Sequence, residues 1–385
     1  MRTKLGTVVL AGVLAGCGVD TNDGVAPIME ATGESSLEVG EEPELPADTA
    51  GQCPTEGPPP VDIDYWELVH IGNAVTVWKG WDCSPLVDNH CFLPSLVATV
   101  QHVNFGAGAK MRVISEMATG QPVGTNATEF TKRPAKGPAG WYTWTRDHVT
   151  TPPREQLFSV TNGSYFMCNH NEATCHLSPF YSAMSFPQKK WNTITSLGAD
   201  TGTYEIAKNT SAKRVFGLSN PGYPGPQVPS IVPYNDAGLS NAATVTTALA
   251  PFFDATVGLH PVYGCETSVE YRTFIGTRNS AGRWNGVQDR GYLLTSAKPM
   301  TIVQARDILV DEFKAMYTMQ LDSGGSTQFY ACEGGCLGSE VYEDSFDTID
   351  WWWAALTQGL ITSRPIPEVL AVYDAPYPAV DAAER

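Results

Sequence analysis

From residue 302 apolar side chains recur three and four positions apart: Ile302, Ala305, Ile308, Leu309, Phe313 and Met316. That spacing predicts an amphipathic helix with one buried face. Thr301 followed by Gln304 supplies a capping box at its start, with the hydroxyl and the amide each satisfying an orphan backbone donor. A short strand over 319–321 follows and breaks at Asp322-Ser323-Gly324-Gly325-Ser326. A carboxylate at a strand end, then two glycines and a hydroxyl, lets backbone N–H groups approach a ligand closely. An ordinary hairpin turn uses the same residue types.

Upstream the period shortens. Residues 68–78 and 96–105, rich in Val, Ile, His and Trp with partial alternation, read as strands, and 111–115 adds another. An apolar strand over 157–161 runs into Asn162-Gly163-Ser164. Residues 269–276 and 291–295 read as strands flanking a polar loop, and 369–373 as the last strand. The stretch 132–155, with Pro134, Pro138, Pro152 and Pro153, reads as irregular; so does 217–238, with Pro221, Pro224, Pro226, Pro229 and Pro233. A helix is expected over 242–253, and Trp351, Trp352 and Trp353 lie in a helix-like segment, where packing is the preferred reading over a sugar-stacking platform. Strands scattered around a few helices favour an α+β fold, a mixed and largely antiparallel sheet packed with a few helices in one large domain.

At 385 residues, 42% hydrophobic and 17% charged, the chain can bury a large core. Its net charge of -17, with no basic cluster, argues against binding nucleic acid through phosphates. Much of the excess lies in one segment carrying Glu30, Glu34, Glu38, Glu41, Glu42 and Glu44 and closing on Pro58-Pro59-Pro60. Residues 18–61 therefore read as a solvated, self-repelling tether, ahead of a folded domain over 62–385.

Arg2 and Lys4 precede an apolar run, 7–13, too short to span a membrane. It ends in Leu14-Ala15-Gly16-Cys17, which resembles a bacterial lipobox; the resemblance implies a signal over 1–17 and a lipid on Cys17. A plain secretory signal cleaved near Ala15 is the alternative. Either way the chain is expected outside the cytoplasm, in the cell envelope. Setting Cys17 aside leaves eight of nine cysteines, an even number suited to an oxidising compartment. Short spacings suggest Cys83–Cys91, Cys168–Cys175 and Cys332–Cys336, leaving Cys53 and Cys265 to close a long loop. Cys168, His170, Cys175 and His176 lack a standard zinc spacing, so a bridge beside two surface histidines is the preferred reading.

Four stretches together resemble the phosphodiester glycosidase family, the catalytic domain of the "uncovering enzyme" that removes N-acetylglucosamine from a sugar phosphodiester. Val160-Thr161-Asn162-Gly163-Ser164-Tyr165-Phe166 is similar to its Asn-Gly-Gly-Phe-Phe signature, and Tyr271-Arg272-Thr273-Phe274-Ile275-Gly276 to its Arg-Thr-x-Ile-Gly strand. Gln320-Leu321-Asp322-Ser323-Gly324-Gly325-Ser326 resembles its Asn-Leu-Asp-Gly-Gly-Gly-Ser loop, and Ser363-Arg364-Pro365-Ile366-Pro367-Glu368-Val369-Leu370 its C-terminal Arg-Pro-Val-x-Asn-x-Leu strand. Ser164 and Ser323 replace glycines, Glu368 stands where that family has Asn, and the insertion around Cys168–Cys175 departs from its pattern.

The resemblance implies a glycosyl phosphodiester substrate in which a phosphate monoester leaves. With a second pKa of about 6, that group departs without a strong general acid. It needs cationic or N–H stabilisation, which Arg272 would give in a bidentate manner. Asp322 is the implied base or nucleophile at the anomeric carbon. Asn162, counted with Asp322 and Arg272 in the catalytic set, positions substrate with Gly163, Thr273, Gly324, Gly325, Ser326 and Arg364. The residues alone also allow Arg272 a structural ion pair with Glu266 or Glu270. No cofactor is expected; a calcium ion near Asp322 is the alternative considered. The expected partners are a glycan or glycoconjugate and, through Cys17, a membrane. A catalytically inactive glycan-binding lipoprotein is the competing function. An esterase is disfavoured, since no Gly-x-Ser-x-Gly elbow with a plausible partner set occurs.

Overall fold

Pro138 sits at the first position of a helix, where its missing N–H and fixed φ cost nothing. Over this helix, α1 (Pro138–His148), the expectation of an irregular 132–155 is corrected. Pro229 and Pro233 similarly bound β11 (Pro229–Pro233), an edge strand that tolerates missing donors. It pairs with β10 (Lys213–Leu218), so 217–238 is not irregular throughout. Proline marked element ends in both stretches.

The computed structural model describes residues 61–83, 94–115, 138–168, 182–198, 213–219, 226–234, 242–261, 269–282, 286–331 and 366–376. All fall in one unit, Leu45–Arg385. Among the described residues strand makes up 49% and helix 17%, so sheet carries the core and the α+β expectation shifts towards β. The larger sheet runs β1 (Tyr65–Ile71), β2 (Val75–Asp82), β3 (Ser95–Asn104), β14 (Arg290–Ser296), β13 (Thr273–Arg278), β15 (Tyr317–Gln320), β12 (Asp254–Leu259), β10 and β11. A hairpin of β8 (Pro187–Lys190) and β9 (Thr193–Leu197) joins it through β12. The second sheet runs β16 (Phe329–Ala331), β5 (Leu157–Asn162), β17 (Glu368–Tyr373) and β4 (Lys110–Ser115). A small ribbon pairs β6 (Phe166–Cys168) with β7 (Ser182–Met184). Every pairing among the described residues is antiparallel.

Alternation along the strands builds the layers. Val75, Val77, Val103, Phe216, Ile275 and Met319 of the large sheet meet Met111, Val113, Phe158, Leu370 and Val372 of the small one. The other face of the small sheet is covered by α1, whose Trp141 and Tyr142 pack with Ile114, Val160 and Val369. This explains why β5 and β17 are buried at every position. Trp141 donates to the Ile366 carbonyl at 2.6 Å and Tyr142 to the Leu157 carbonyl at 2.8 Å.

Among the described residues the outer face of the large sheet carries two helices. The capping box forms as expected on α3 (Ile302–Asp307): Gln304 N donates to Thr301 Oγ1 at 3.1 Å and Thr301 N to Gln304 Oε1 at 2.8 Å. Regular α-helix ends sooner than the apolar period suggests, giving way to a π turn over Ile308–Glu312 and to Lys314 at φ 57°. Ile302, Ala305 and Leu309 still pack on Phe274 and Leu294. The second, α2 (Ala242–Leu249), stops short of 253, and Lys189 donates to the Leu249 and Ala250 carbonyls at its end. Residues 68–78 hold a hairpin turn rather than one strand, with Asp374 accepting from Asn73 N and Ala74 N.

On this outer face His102 of β3 stacks on Tyr292, with Nδ1 3.3 Å from Thr76 Oγ1. Burial, then the charges of Arg290 and Arg278, press its pKa from 6.5 to about 4, against a smaller opposing pull from Asp289. The unfolded chain therefore takes up this proton first as pH falls. The stability that neutral His102 contributes is complete above about 6.5 and is lost as pH drops towards 4. His102→Gln should show a smaller drop in Tm than wild type between pH 7 and pH 5; an equal drop would remove His102 from the acid response.

Cys83, buried at the end of β2, is disulfide-bonded; Cys91, its expected partner, lies outside the described residues. So do Cys17, Cys53, Cys175, Cys265, Cys332, Cys336, Arg364 and Trp351–Trp353. No helix among the described residues is long and apolar enough to cross a membrane.

Candidate active site

At one end of the inter-sheet layer the contacts turn polar. Asn162 closes β5, Asp322 follows β15, Arg272 precedes β13, and Glu368 opens β17. Antiparallel pairing puts these strand ends together: Val369 faces Asn162, and Phe274 faces Gln320.

Asn162 is the knot. It is 1% exposed. Its backbone N–H donates to the Gln328 carbonyl at 3.1 Å. Its Oδ1 accepts from Thr273 Oγ1 at 2.7 Å and Gln328 N at 3.0 Å, while Nδ2 donates to the Asp322 carbonyl at 2.8 Å. Asp322 N donates to the Gly163 carbonyl at 3.1 Å, and Leu321 N to the Thr273 carbonyl at 2.9 Å. Segments more than 100 residues apart are thereby fastened by side-chain and backbone bonds together. Asn162 and Thr273, expected to touch substrate, are both buried and bond each other.

Asp322 itself is half-buried, and its Oδ1 accepts from Ser323 N at 3.0 Å. Near it lies a residue that the motif reading passed over: Tyr165. Burial pushes its phenol well above the usual tyrosine range; a hydrogen bond with Ser323 opposes this, Asp322 adds to it, Arg272 opposes it and Glu270 adds to it. Tyr165 thus lies in the joint field of Asp322 and Arg272. Its position within the Asn162–Phe166 signature was the available signal, but the signature has an aromatic there without a hydroxyl.

Arg272 is buried. Its backbone N–H donates to Ser296 Oγ at 2.6 Å, and its Nε to the Met300 carbonyl at 3.3 Å. The Glu270 pairing that the sequence allowed is present, Nη1 to Oε2 at 3.5 Å, with Glu270 half exposed. Burial lowers the Arg272 pKa while Glu270 and Tyr165 raise it; a guanidinium stays cationic under these opposing effects.

The glycine-rich loop is a short 3-10 turn, Gly324–Ser326. Gly324 has φ 63°, and the space a Cβ would enter there is open. Its N–H, expected to face a ligand, donates instead to the Tyr271 carbonyl at 2.8 Å, anchoring the turn to the approach of β13. Gly325 lies at its centre. Ser326 is fully buried and its Oγ has no hydrogen-bond partner among the described residues. No group of three or more His, Cys, Asp or Glu among the described residues is placed to hold a metal ion.

Two of the departures from the family pattern, Ser164 and Ser323, have partners in the structure. Ser164 Oγ donates to the Val257 carbonyl, and the Ser323 hydroxyl meets Tyr165. Gly163 is needed for close approach: a Cβ there would lie 2.6 Å from Glu368 Cγ. Gly163→Ala is expected to destabilise the fold by about 1–3 kcal/mol through overpacking and to lower turnover with it. Urea denaturation checks this, and an unchanged midpoint would mean that Glu368 gives way freely.

No family model matches the chain, and no curated protein does. Among solved structures it is similar to the catalytic domain of zebrafish N-acetylglucosamine-1-phosphodiester alpha-N-acetylglucosaminidase, auto-inhibited by its pro-peptide. The two share 11% identity at a TM-score of 0.41, over 80% of this chain and 88% of that one. It is also similar to a hypothetical protein from Synechocystis, at 13% identity and a TM-score of 0.37, over 78% and 62% of the two chains. The chain thus has a distant structural similarity to that fold, with no sequence family attached.

Proposed function

We propose that the chain is a cell-envelope hydrolase that cleaves a glycosyl phosphodiester of the N-acetylglucosamine type, exported and held to a membrane by lipid on Cys17. The observation that carries this reading is the convergence of residues singled out by four separate motifs. Asn162 bonds both Thr273 and the Asp322 backbone, Gly163 bonds both Asp322 and Glu368, and Tyr165 feels Asp322 and Arg272. A chance set of turn residues has no reason to meet.

In the proposed reaction Arg272 and the Tyr165 hydroxyl stabilise the departing phosphate, whose low pKa removes the need for a strong acid. Asp322 acts at the anomeric carbon as base or nucleophile. Asn162 and Thr273 hold the Asp322 backbone in register, and Gly324, Gly325 and Ser326 form the turn beside it. Four disulfides would brace the exported domain.

The test is incubation of the full chain with an N-acetylglucosamine-1-phosphodiester, following free sugar. Release at a rate proportional to protein supports the reading. Saturable binding without release would replace it with the glycan-binding lipoprotein.

A further inference from the structure

We propose that Glu368 and Gln188 form a buried acceptor–donor pair that positions the candidate site, acting through Gly163 and Ser164 on Asp322. Glu368 is 1% exposed and Gln188 is fully buried. They come from β17 and β8, strands of different sheets, and Gln188 Nε2 donates to Glu368 Oε2. Glu368 Oε1 accepts from Ser164 N at 3.1 Å and from Thr256 Oγ1 at 2.7 Å. Gln188 Oε1 accepts from Ser115 Oγ at 3.0 Å and from Thr195 Oγ1 at 2.7 Å.

The chemistry orders this network. A carboxylate accepts only, so Gln188 must present its NH2 to it and its carbonyl to the two hydroxyls. The result grips the corner that carries Asp322. The Glu368 carbonyl accepts from Gly163 N at 3.0 Å, the carboxylate accepts from Ser164 N, and the Gly163 carbonyl accepts from Asp322 N. Apolar residues of equal volume would join the two sheets at lower desolvation cost. The carboxylate stands against the Asp322 corner and outside the apolar layer, which is where directional hydrogen bonds have a use.

The experiment is a reciprocal exchange in the full chain: Glu368→Gln, Gln188→Glu and the double variant. Glu368→Gln opposes two NH2 groups or, if Gln188 turns over, takes the acceptor away from two buried hydroxyls. Gln188→Glu opposes two carboxylates. The double variant restores every bond named above with the charge on the other strand. Hydrogen–deuterium exchange of peptides covering Gly163, Ser164 and Asp322 is the first readout. The second is kcat and KM for the phosphodiester, the only part resting on the proposed function.

Each single variant is expected to speed local exchange about 10- to 100-fold, the size of a lost hydrogen bond to a charged group. kcat should fall comparably while KM stays within about twofold, and the double variant should recover both to within about threefold. Wild-type exchange in the single variants, or a double variant no better than either, overturns the proposal. So does a fall in Tm with exchange and kcat unchanged, since that marks a purely structural pair. If wild type releases no sugar, the function fails and exchange alone decides the pair. If a single variant does not fold, Thr256→Val takes its place: faster exchange at Ser164 supports the proposal and unchanged exchange overturns it.

Discussion

Asp322→Asn is expected to lower sugar release about 100- to 10,000-fold, the range for removing an acid–base group, while Tm stays within about 2 °C of wild type. The two halves of this result come from different atoms. The fold uses the Asp322 backbone, whose N–H bonds the Gly163 carbonyl and whose carbonyl accepts from Asn162. The Oδ1 bond to Ser323 N is one that an amide oxygen can also accept. Asn keeps these bonds and the side-chain volume, and loses the negative charge that a base or nucleophile needs. Kinetics and thermal unfolding of one preparation give both numbers. Wild-type turnover in the variant would take Asp322 out of the chemistry. Arg272→Lys is the useful companion, because it keeps a charge and loses the fork that bonds a phosphate twice; its effect should fall mainly on kcat.

How legible this site was depends on the range of the interactions that build it. Asp322, Arg272 and Asn162 stand in short motifs, and the Thr301–Gln304 cap needs only four consecutive residues, so local sequence exposed them. Gln188 offered no such sign. It follows a proline in a four-residue strand, and its partner Glu368 lies 180 positions away. Glu368 was visible as a departure from a motif, yet its meaning waits on the fold bringing Thr256 and Ser164 to its carboxylate. Asn162 divides the same way: sequence shows a polar residue at a strand end, while only the packed sheets show that it bonds Thr273, Gln328 and the Asp322 carbonyl. The fold divides similarly. β3, β4, β5 and β17 carry long apolar runs and were readable. α1 and β11 begin at prolines that belong at element ends, where they resemble the prolines of a loop.

Removal of Asp254 should cause the largest loss of stability outside the candidate site. Asp254 and Arg112 are both fully buried and pair across the two sheets, Oδ2 to Nε at 2.6 Å. Oδ1 also accepts from Trp191 N at 2.7 Å, and the Arg112 guanidinium lies 3.5 Å from the centre of the Trp191 ring. Burial pushes the Asp254 carboxyl pKa up, and Arg112, then the Trp191 amide, pull it back down. Asp254→Ala leaves a guanidinium enclosed by Trp191, Phe253 and Tyr373 without its counter-charge, at a cost of about 3–5 kcal/mol. It also frees the β8–β9 turn, where Trp191 and Asn192 hold φ of 53° and 61°, a conformation non-glycine residues seldom adopt unaided. Against a total of about 5–15 kcal/mol, the variant should unfold at much lower urea and shift its tryptophan emission at once. The double change Arg112→Met with Asp254→Leu is the control: it removes both charges, and should recover part of the lost stability because no buried ion remains. A double variant as unstable as Asp254→Ala would place the loss in the Trp191 turn and in packing, and leave the charge pair no part in it.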